Sequence, residues 1–286
     1  MSKKYQLGVY EKAMPNNLSI EEKIMVAKKS GFDFLELSID DSEDKLARLD
    51  MNKKQIEKLR NLMFKEDFYI QSICFSGHRK YPLGSQDKQT RKMSRLITEK
   101  AVDLAYKLGI RYIQIAGYDT FQTEENEESR EYFIKNLKRV VEIASKKGVI
   151  LAFETMENKF MDTTAKAMTF IKEINNPYLQ LYPDIGNLTN SAFNYKSNEI
   201  TDLRLGCGHI IAVHLKETLP YVYRNLNYGE GHTNYIRFLT ELTKQNVFTY
   251  CAKFWDNGSP DYEERLEKSR QFLAKKIDDA WSVRHG

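Results

Sequence analysis

Short apolar runs alternate with longer amphipathic stretches from one end of this chain to the other, and that rhythm leaves few folds open. The runs fall at residues 6–10, 34–38, 70–75, 112–115, 150–154, 179–183, 210–215 and 249–254. They are rich in Ile, Val, Leu, Phe and Tyr, as expected of parallel strands covered on both faces. Helical periodicity fills the intervals at 20–30, 53–66, 90–108, 130–147, 164–174, 199–205, 234–245 and 261–280. Ser19-Ile-Glu-Glu22 reads as a capping box, and Gly31, Gly109 and Gly148 read as left-handed helix stops, each followed within three residues by a strand. Eight βα units in 286 residues predict one α/β domain over 1–286, a (β/α)8 TIM barrel whose active site lies at the C-terminal strand ends. A doubly wound open sheet is the structural alternative. No GxGxxG or GxxxxGK[ST] follows any strand, so a nucleotide-binding version has no support.

Composition narrows the partners. No apolar run approaches the roughly 20 residues of a membrane span, and the N-terminus has no apolar signal core, so a cytoplasmic protein without a membrane partner is expected. The net charge of +4 comes from interspersed acidic and basic residues, which argues against a nucleic-acid surface and suits an anionic small substrate. The three cysteines lack metal-site spacing, and Cys74 and Cys251 read as small core residues.

Polar residues at the strand ends are the candidates for chemistry. Glu154, Asp184 and His214 each close or follow a run, and a mixed O/N set of this kind suits Mn²⁺, Mg²⁺, Co²⁺ or Zn²⁺. Lys253 ends the eighth run. Glu11 and Lys12 follow the first, Glu36 and Ser38 lie in the second, His78 and Arg79 follow the third, and Gln114 and Tyr118 border the fourth. His209 and His214 share one run at opposite parity, so a single one faces the barrel mouth; His214 is the choice and His209 falls near the bottom. His232 lies on the loop after the seventh run, either exposed or near substrate. Tyr10, Tyr118 and Trp255 offer a sugar-stacking wall, with core packing the alternative. Lys12, His78, Arg79, Lys80 and Lys216 all follow strand ends and can reach a phosphate; His78 and Arg79 are preferred, and Lys216 can instead meet a substrate hydroxyl.

Several longer motifs carry a resemblance. Leu7-Gly-Val-Tyr-Glu-Lys-Ala13, Gly31-Phe-Asp-Phe-Leu-Glu36, Arg48-Leu-Asp50, Ser76-Gly-His-Arg-Lys-Tyr-Pro-Leu-Gly-Ser85, Ile113-Gln-Ile-Ala-Gly-Tyr-Asp119, Leu181-Tyr-Pro-Asp-Ile-Gly-Asn-Leu188, Gly208-His-Ile-Ile-Ala-Val-His-Leu-Lys216 and Tyr228-Gly-Glu-Gly231 occur in order. Together they resemble, end to end, the L-xylulose/L-ribulose 5-phosphate 3-epimerases of ascorbate and pentose use, within the xylose-isomerase-like metal-dependent barrels. The resemblance implies a divalent metal held by Glu154, Asp184 and His214, a sugar-phosphate substrate and a homodimer; the strand-end residues Tyr10, Glu11, Lys12, His78, Arg79, Lys216 and Trp255 are the candidates to meet that substrate. It also implies proton exchange at C3 through an enediolate, with the metal on the C2 carbonyl and hydroxyl oxygens and one carboxylate on each face.

One position departs from the pattern. The family's eighth strand supplies a fourth ligand Glu, but this chain reads Tyr250-Cys-Ala-Lys-Phe-Trp255, so the catalytic pair becomes Glu154 and Lys253. The exchange changes the local charge beside the metal position by +2 and lowers metal affinity sharply. Three destinations for the ammonium are open: out toward solvent or the substrate phosphate with a three-ligand metal retained, between Glu154 and Asp184 in the metal's place, or acting as a base with a lowered pKa. The corresponding functions are a working 3-epimerase or a catalytically impaired paralogue that binds a sugar phosphate. A Schiff-base lyase and an abasic-site endonuclease of the same superfamily are weaker alternatives, the latter because the metal ligands are too few.

Overall fold

The computed structural model describes residues 4–121 and 126–285. Eight parallel strands form one sheet: β1 (Gln6–Tyr10), β2 (Phe34–Ile39), β3 (Tyr69–Phe75), β4 (Tyr112–Ala116), β5 (Ile150–Glu154), β6 (Leu179–Leu181), β7 (Val213–Leu215) and β8 (Thr249–Ala252). Neighbours run in the order β6-β5-β4-β3-β2-β1-β8-β7. Isolated bridges Leu181↔Ile210 and Asp184↔His214 join the two ends, so the sheet closes into the expected barrel. The seam is thin for a local reason. Pro183 has no N–H to donate, and the expected strands at 179–183 and 210–215 shorten to three residues each beside it. His214 N still donates to Pro183 O at 2.9 Å, which sets Asp184 and His214 side by side.

The outer layer holds α1 (Ile20–Lys29), α2 (Glu43–Ala47), α3 (Lys53–Glu66), α4 (Lys88–Leu108), α5 (Glu127–Lys146), α6 (Thr164–Ile174), α7 (Ile185–Tyr195), α8 (Glu199–Arg204), α9 (Tyr235–Lys244) and α10 (Tyr262–His285). The Ser19 capping box forms, and Gly31, Gly109 and Gly148 all have positive φ, as their spacing predicts. The short α2 and the whole of α7 were not anticipated. Asp184 is the N-cap of α7 and Ile185, Leu188 and Ala192 form its buried stripe, a readable signal that the strand-end reading of Asp184 obscured.

Strand parity divides the core in two. Residues facing outward pack under the helices in one large apolar cluster, while Tyr10, Phe34, Cys74, Ala152, Tyr182, Ala212 and Cys251 fill the barrel interior. Gly8 makes room for Phe34: a Cβ there would stand 2.2 Å from the Phe34 ring. Cys74 and Cys251 are buried free thiols in this inner cluster, matching their reading as core residues. Among the described residues no helix is long and apolar enough to cross a membrane.

Candidate active site

One step above the inner cluster, at the C-terminal rim, the same parity turns polar. Glu36 of β2, Glu154 at the end of β5, Asp184 after β6, His214 of β7 and Lys253 after β8 are all buried. His214 is the hub. Its Nε2 lies 2.6 Å from Glu36 Oε1 and its Nδ1 lies 3.0 Å from Glu154 Oε1, while Tyr182 stacks on the ring at 4.4 Å between centroids. Burial alone lowers the pKa of an imidazole, but Glu36 and Glu154 outweigh it and raise that of His214. Ser72 donates to the other oxygen of Glu36 at 2.7 Å.

Lys253 reaches into the centre of this group. Its Nζ donates to Glu154 Oε1, sits 3.3 Å from His214 Nδ1 and 4.0 Å from Asp184 Oδ2, and lies 5.8 Å above the Tyr10 ring. Desolvation disfavours both charged partners, yet the contact prevails: Lys253 holds its proton more tightly than an ordinary lysine, and Glu154 is held well below the usual carboxylate range. The reading of Lys253 as a base with a lowered pKa is therefore overturned in the free protein, because two carboxylates face the ammonium.

Asp184 is fixed by its cap. Oδ1 accepts from Asn187 N at 2.9 Å, and Thr155 Oγ1 accepts from Asp184 N at 2.9 Å. Oδ2 is buried without a hydrogen-bond partner, 3.5 Å from Lys216 Nζ. Lys216 in turn donates to Asn187 Oδ1. Gly186 allows this approach: a Cβ on it would stand 2.8 Å from Lys216 O, so α7 can lie against the β7 end only without a side chain there.

The remaining expectations divide. A narrow pocket above Glu154 and Lys253 is lined by Tyr10, Lys12, Arg79, Lys216 and Trp255 among the expected substrate residues, joined by Asn187, Glu157 and Arg224. Lys12 is tied to Asp40, Arg79 donates to Tyr118 Oη at 3.3 Å, and Arg224 lies over the Trp255 indole at 4.9 Å. Glu11 and His78 do not reach the pocket. Glu11 follows Tyr10 at opposite parity and points into the helix layer, where Lys45, Arg48 and, at 3.9 Å, Lys23 surround its carboxylate. His78 is fully buried, with Nε2 2.8 Å from Thr98 Oγ1. His209 pairs with Gln180 at the strand bottom, and His232 pairs with Asn190 of α7 at 2.9 Å, away from the pocket. Glu36 was visible at its strand end but not assigned a role. Arg224 sits in a loop with no periodic signal to mark it.

The His78 environment makes an acid-stability prediction. Burial pushes its pKa down from 6.5 to about 4, so between those values the unfolded chain binds more protons than the folded one. Stability then falls as pH drops from about 6.5 to 4, by roughly 3 kcal/mol from this group. A His78→Gln variant is expected to show a shallower acid limb in urea melts; an unchanged limb refutes the assignment.

Glu154, Asp184 and His214 are groups that could hold a metal ion, since their ligand atoms lie within 4.8 Å of one another. Asp184 Oδ2, which accepts no hydrogen bond, supports that. The Lys253 ammonium opposes it. An ion about 2.0–2.2 Å from each donor lies within about 4 Å of Nζ, where the repulsion between +1 and +2 charges is about 8 kcal/mol at an effective dielectric near 20. With Lys253 in its present position these residues do not fit a divalent ion.

The family model of the xylose isomerase-like TIM barrel matches residues 24–276, and the chain belongs to that family. It is 40% identical over 286 residues, 99% of each chain, to the L-ribulose-5-phosphate 3-epimerase UlaE of Escherichia coli (strain SMS-3-5 / SECEC). Among solved structures it is similar to a D-tagatose 3-epimerase-like protein, with a TM-score of 0.80 at 20% identity over 97% of this chain and 99% of that one. A xylose isomerase-like TIM barrel protein from Mycobacterium smegmatis in complex with magnesium superposes with a TM-score of 0.71 at 16% identity over 98% of this chain and 99% of that one.

Proposed function

We propose that this chain epimerises a ketopentose 5-phosphate at C3, interconverting L-xylulose 5-phosphate and L-ribulose 5-phosphate. The observation that carries this reading is the buried Glu154–Lys253 pair, a carboxylate and an ammonium in contact at the floor of a pocket rimmed by Lys12, Arg79, Lys216 and Arg224. The full-length similarity to an L-ribulose-5-phosphate 3-epimerase supports the substrate class.

The chemistry requires a proton to leave C3 on one face and another to arrive on the opposite face. In this reading the bound sugar separates Glu154 from Lys253. The low pKa of Glu154 and the high pKa of Lys253 share a cause, their mutual contact, so separating them makes the carboxylate a stronger base and the ammonium a stronger acid. Glu154 takes the C3 proton as the C–H electron pair moves into the C2–C3 bond. Lys216 and Asn187 hold the C2 oxygen as its charge grows. Lys253 then gives a proton to C3 from the other side, leaving a carboxylic acid and a neutral amine. When product departs the two side chains meet again and the proton passes from Glu154 to Lys253, restoring the starting state. No step runs through the divalent ion that the resemblance implies.

The phosphate falls to Arg79 and Arg224. Among the described residues Arg224 has only Glu157 as an ion-pair partner, at 3.8 Å, and its guanidinium is spread over Trp255 at the pocket edge. Arg224→Ala is expected to raise KM for the ketose phosphate about tenfold or more with kcat nearly unchanged, and to leave turnover of the unphosphorylated sugar unaffected. An equal loss on both sugars removes the phosphate role.

Wash-in of solvent deuterium at C3 tests the whole reading. Exchange together with interconversion of the two pentulose phosphates is the expected result. Binding without exchange supports the second reading, a catalytically impaired sugar-phosphate binder.

A further inference from the structure

Lys253 stands where three buried polar side chains converge. Its Nζ touches Glu154 Oε1, has His214 Nδ1 at 3.3 Å and Asp184 Oδ2 at 4.0 Å, and is 94% buried as a residue. One ligand atom from each of Glu154, Asp184 and His214 lies within 4.8 Å of the others, so the space between them holds one small cation. The rim carboxylate, Glu157, already faces Lys216 and Arg224, each at 3.8 Å. The exit toward solvent is bordered by Lys12, Arg79, Lys216 and Arg224, and moving a fifth positive charge among them has no electrostatic gain. The two carboxylates nearest Lys253 are already matched without an added ion: Glu154 and Asp184 face the Lys253 and Lys216 ammonium groups.

We propose that this chain carries its own cation at this position: the Lys253 ammonium occupies the space between Glu154, Asp184 and His214 in place of a divalent metal, and the folded protein binds no such ion there. The three side chains are then tied together by a covalently attached charge that chelators cannot remove. The inference shares the Glu154–Lys253 contact with the epimerase reading but concerns the free protein, so metal content tests it apart from any turnover.

Metal content decides it without any substrate. The purified protein is equilibrated with Mn²⁺, Mg²⁺, Co²⁺ or Zn²⁺, desalted and analysed by plasma mass spectrometry, and Mn²⁺ binding is titrated calorimetrically. The parent is expected to retain far less than one equivalent of each metal, and EDTA is expected to leave its melting temperature unchanged. Lys253→Glu is expected to gain about one Mn²⁺ per chain, with affinity at least about a hundredfold above the parent, and Asp184→Asn added to it is expected to abolish the gain. Lys253→Met removes the charge at similar bulk and is expected to bind Mn²⁺ at least about tenfold more tightly than the parent, which provides the test if Lys253→Glu does not fold. A stoichiometric ion in the parent that Asp184→Asn removes overturns the proposal. So does the absence of any gain in the folded Lys253 variants.

Discussion

Glu154→Gln is expected to abolish epimerisation, lowering kcat by about a thousandfold or more. The amide has nearly the shape of the carboxylate but no lone pair basic enough to take the C3 proton. It also leaves the Lys253 ammonium, buried beside it, without its nearest counter-charge. KM is expected to change far less than kcat, because the proposed phosphate contacts, Arg79 and Arg224, lie at the pocket rim. Glu154→Asp, which retracts the carboxylate by one methylene, is expected to fall between the two. The checks are C3 deuterium exchange and single-turnover interconversion, with circular dichroism to confirm the fold. Activity within tenfold of the parent would exclude Glu154 as the proton acceptor.

Glu11→Gln is expected to have the largest effect on stability and almost none on the site. The Glu11 carboxylate is inaccessible to solvent, with Lys45 and Arg48 in contact and Lys23 at 3.9 Å. Removing the one anion from such a group costs about 3–5 kcal/mol, because the cations stay behind without compensation. A loss of about 10 °C in melting temperature is the expected size for a chain of this length. Desolvation works to raise the Glu11 pKa, but Arg48, Lys23 and Lys45 prevail and lower it. The stabilisation is therefore present above the unfolded pKa and lost as pH falls through the folded one, so parent and variant are expected to converge in acid. Normal kcat/KM per folded molecule is expected. A raised KM with unchanged stability would instead return Glu11 to the substrate pocket.

Glu11 also shows what could have been read one step further. Tyr10 faces the barrel interior, so the next residue along the chain faces the helices, and period-two alternation was enough to exclude Glu11 from the pocket. His78 was harder. It lies in the 3-10 turn Gly77–Arg79, where strand parity has ended, and its neighbour Arg79 reaches the pocket while His78 packs under α4 against Thr98. The same difficulty hid Arg224, whose loop carries no pattern. Asn187 lay inside a quoted motif, but its contact with Lys216 depends on α7, which the strand-end reading of Asp184 had concealed.

The eight-fold rhythm of apolar and amphipathic segments was sufficient for the barrel, and for bringing Glu154, Asp184 and His214 to one rim, because parity and strand direction are local properties that each segment carries alone. The position of the Lys253 ammonium was not of that kind. A long side chain with several rotatable bonds goes where the summed field of its neighbours sends it, and here those neighbours, Glu154, Asp184 and His214, arrive from three other strands. Their charges act on Lys253 only once the barrel has closed, so folding alone turns a substitution near the chain's end into a buried cation at the centre of the site.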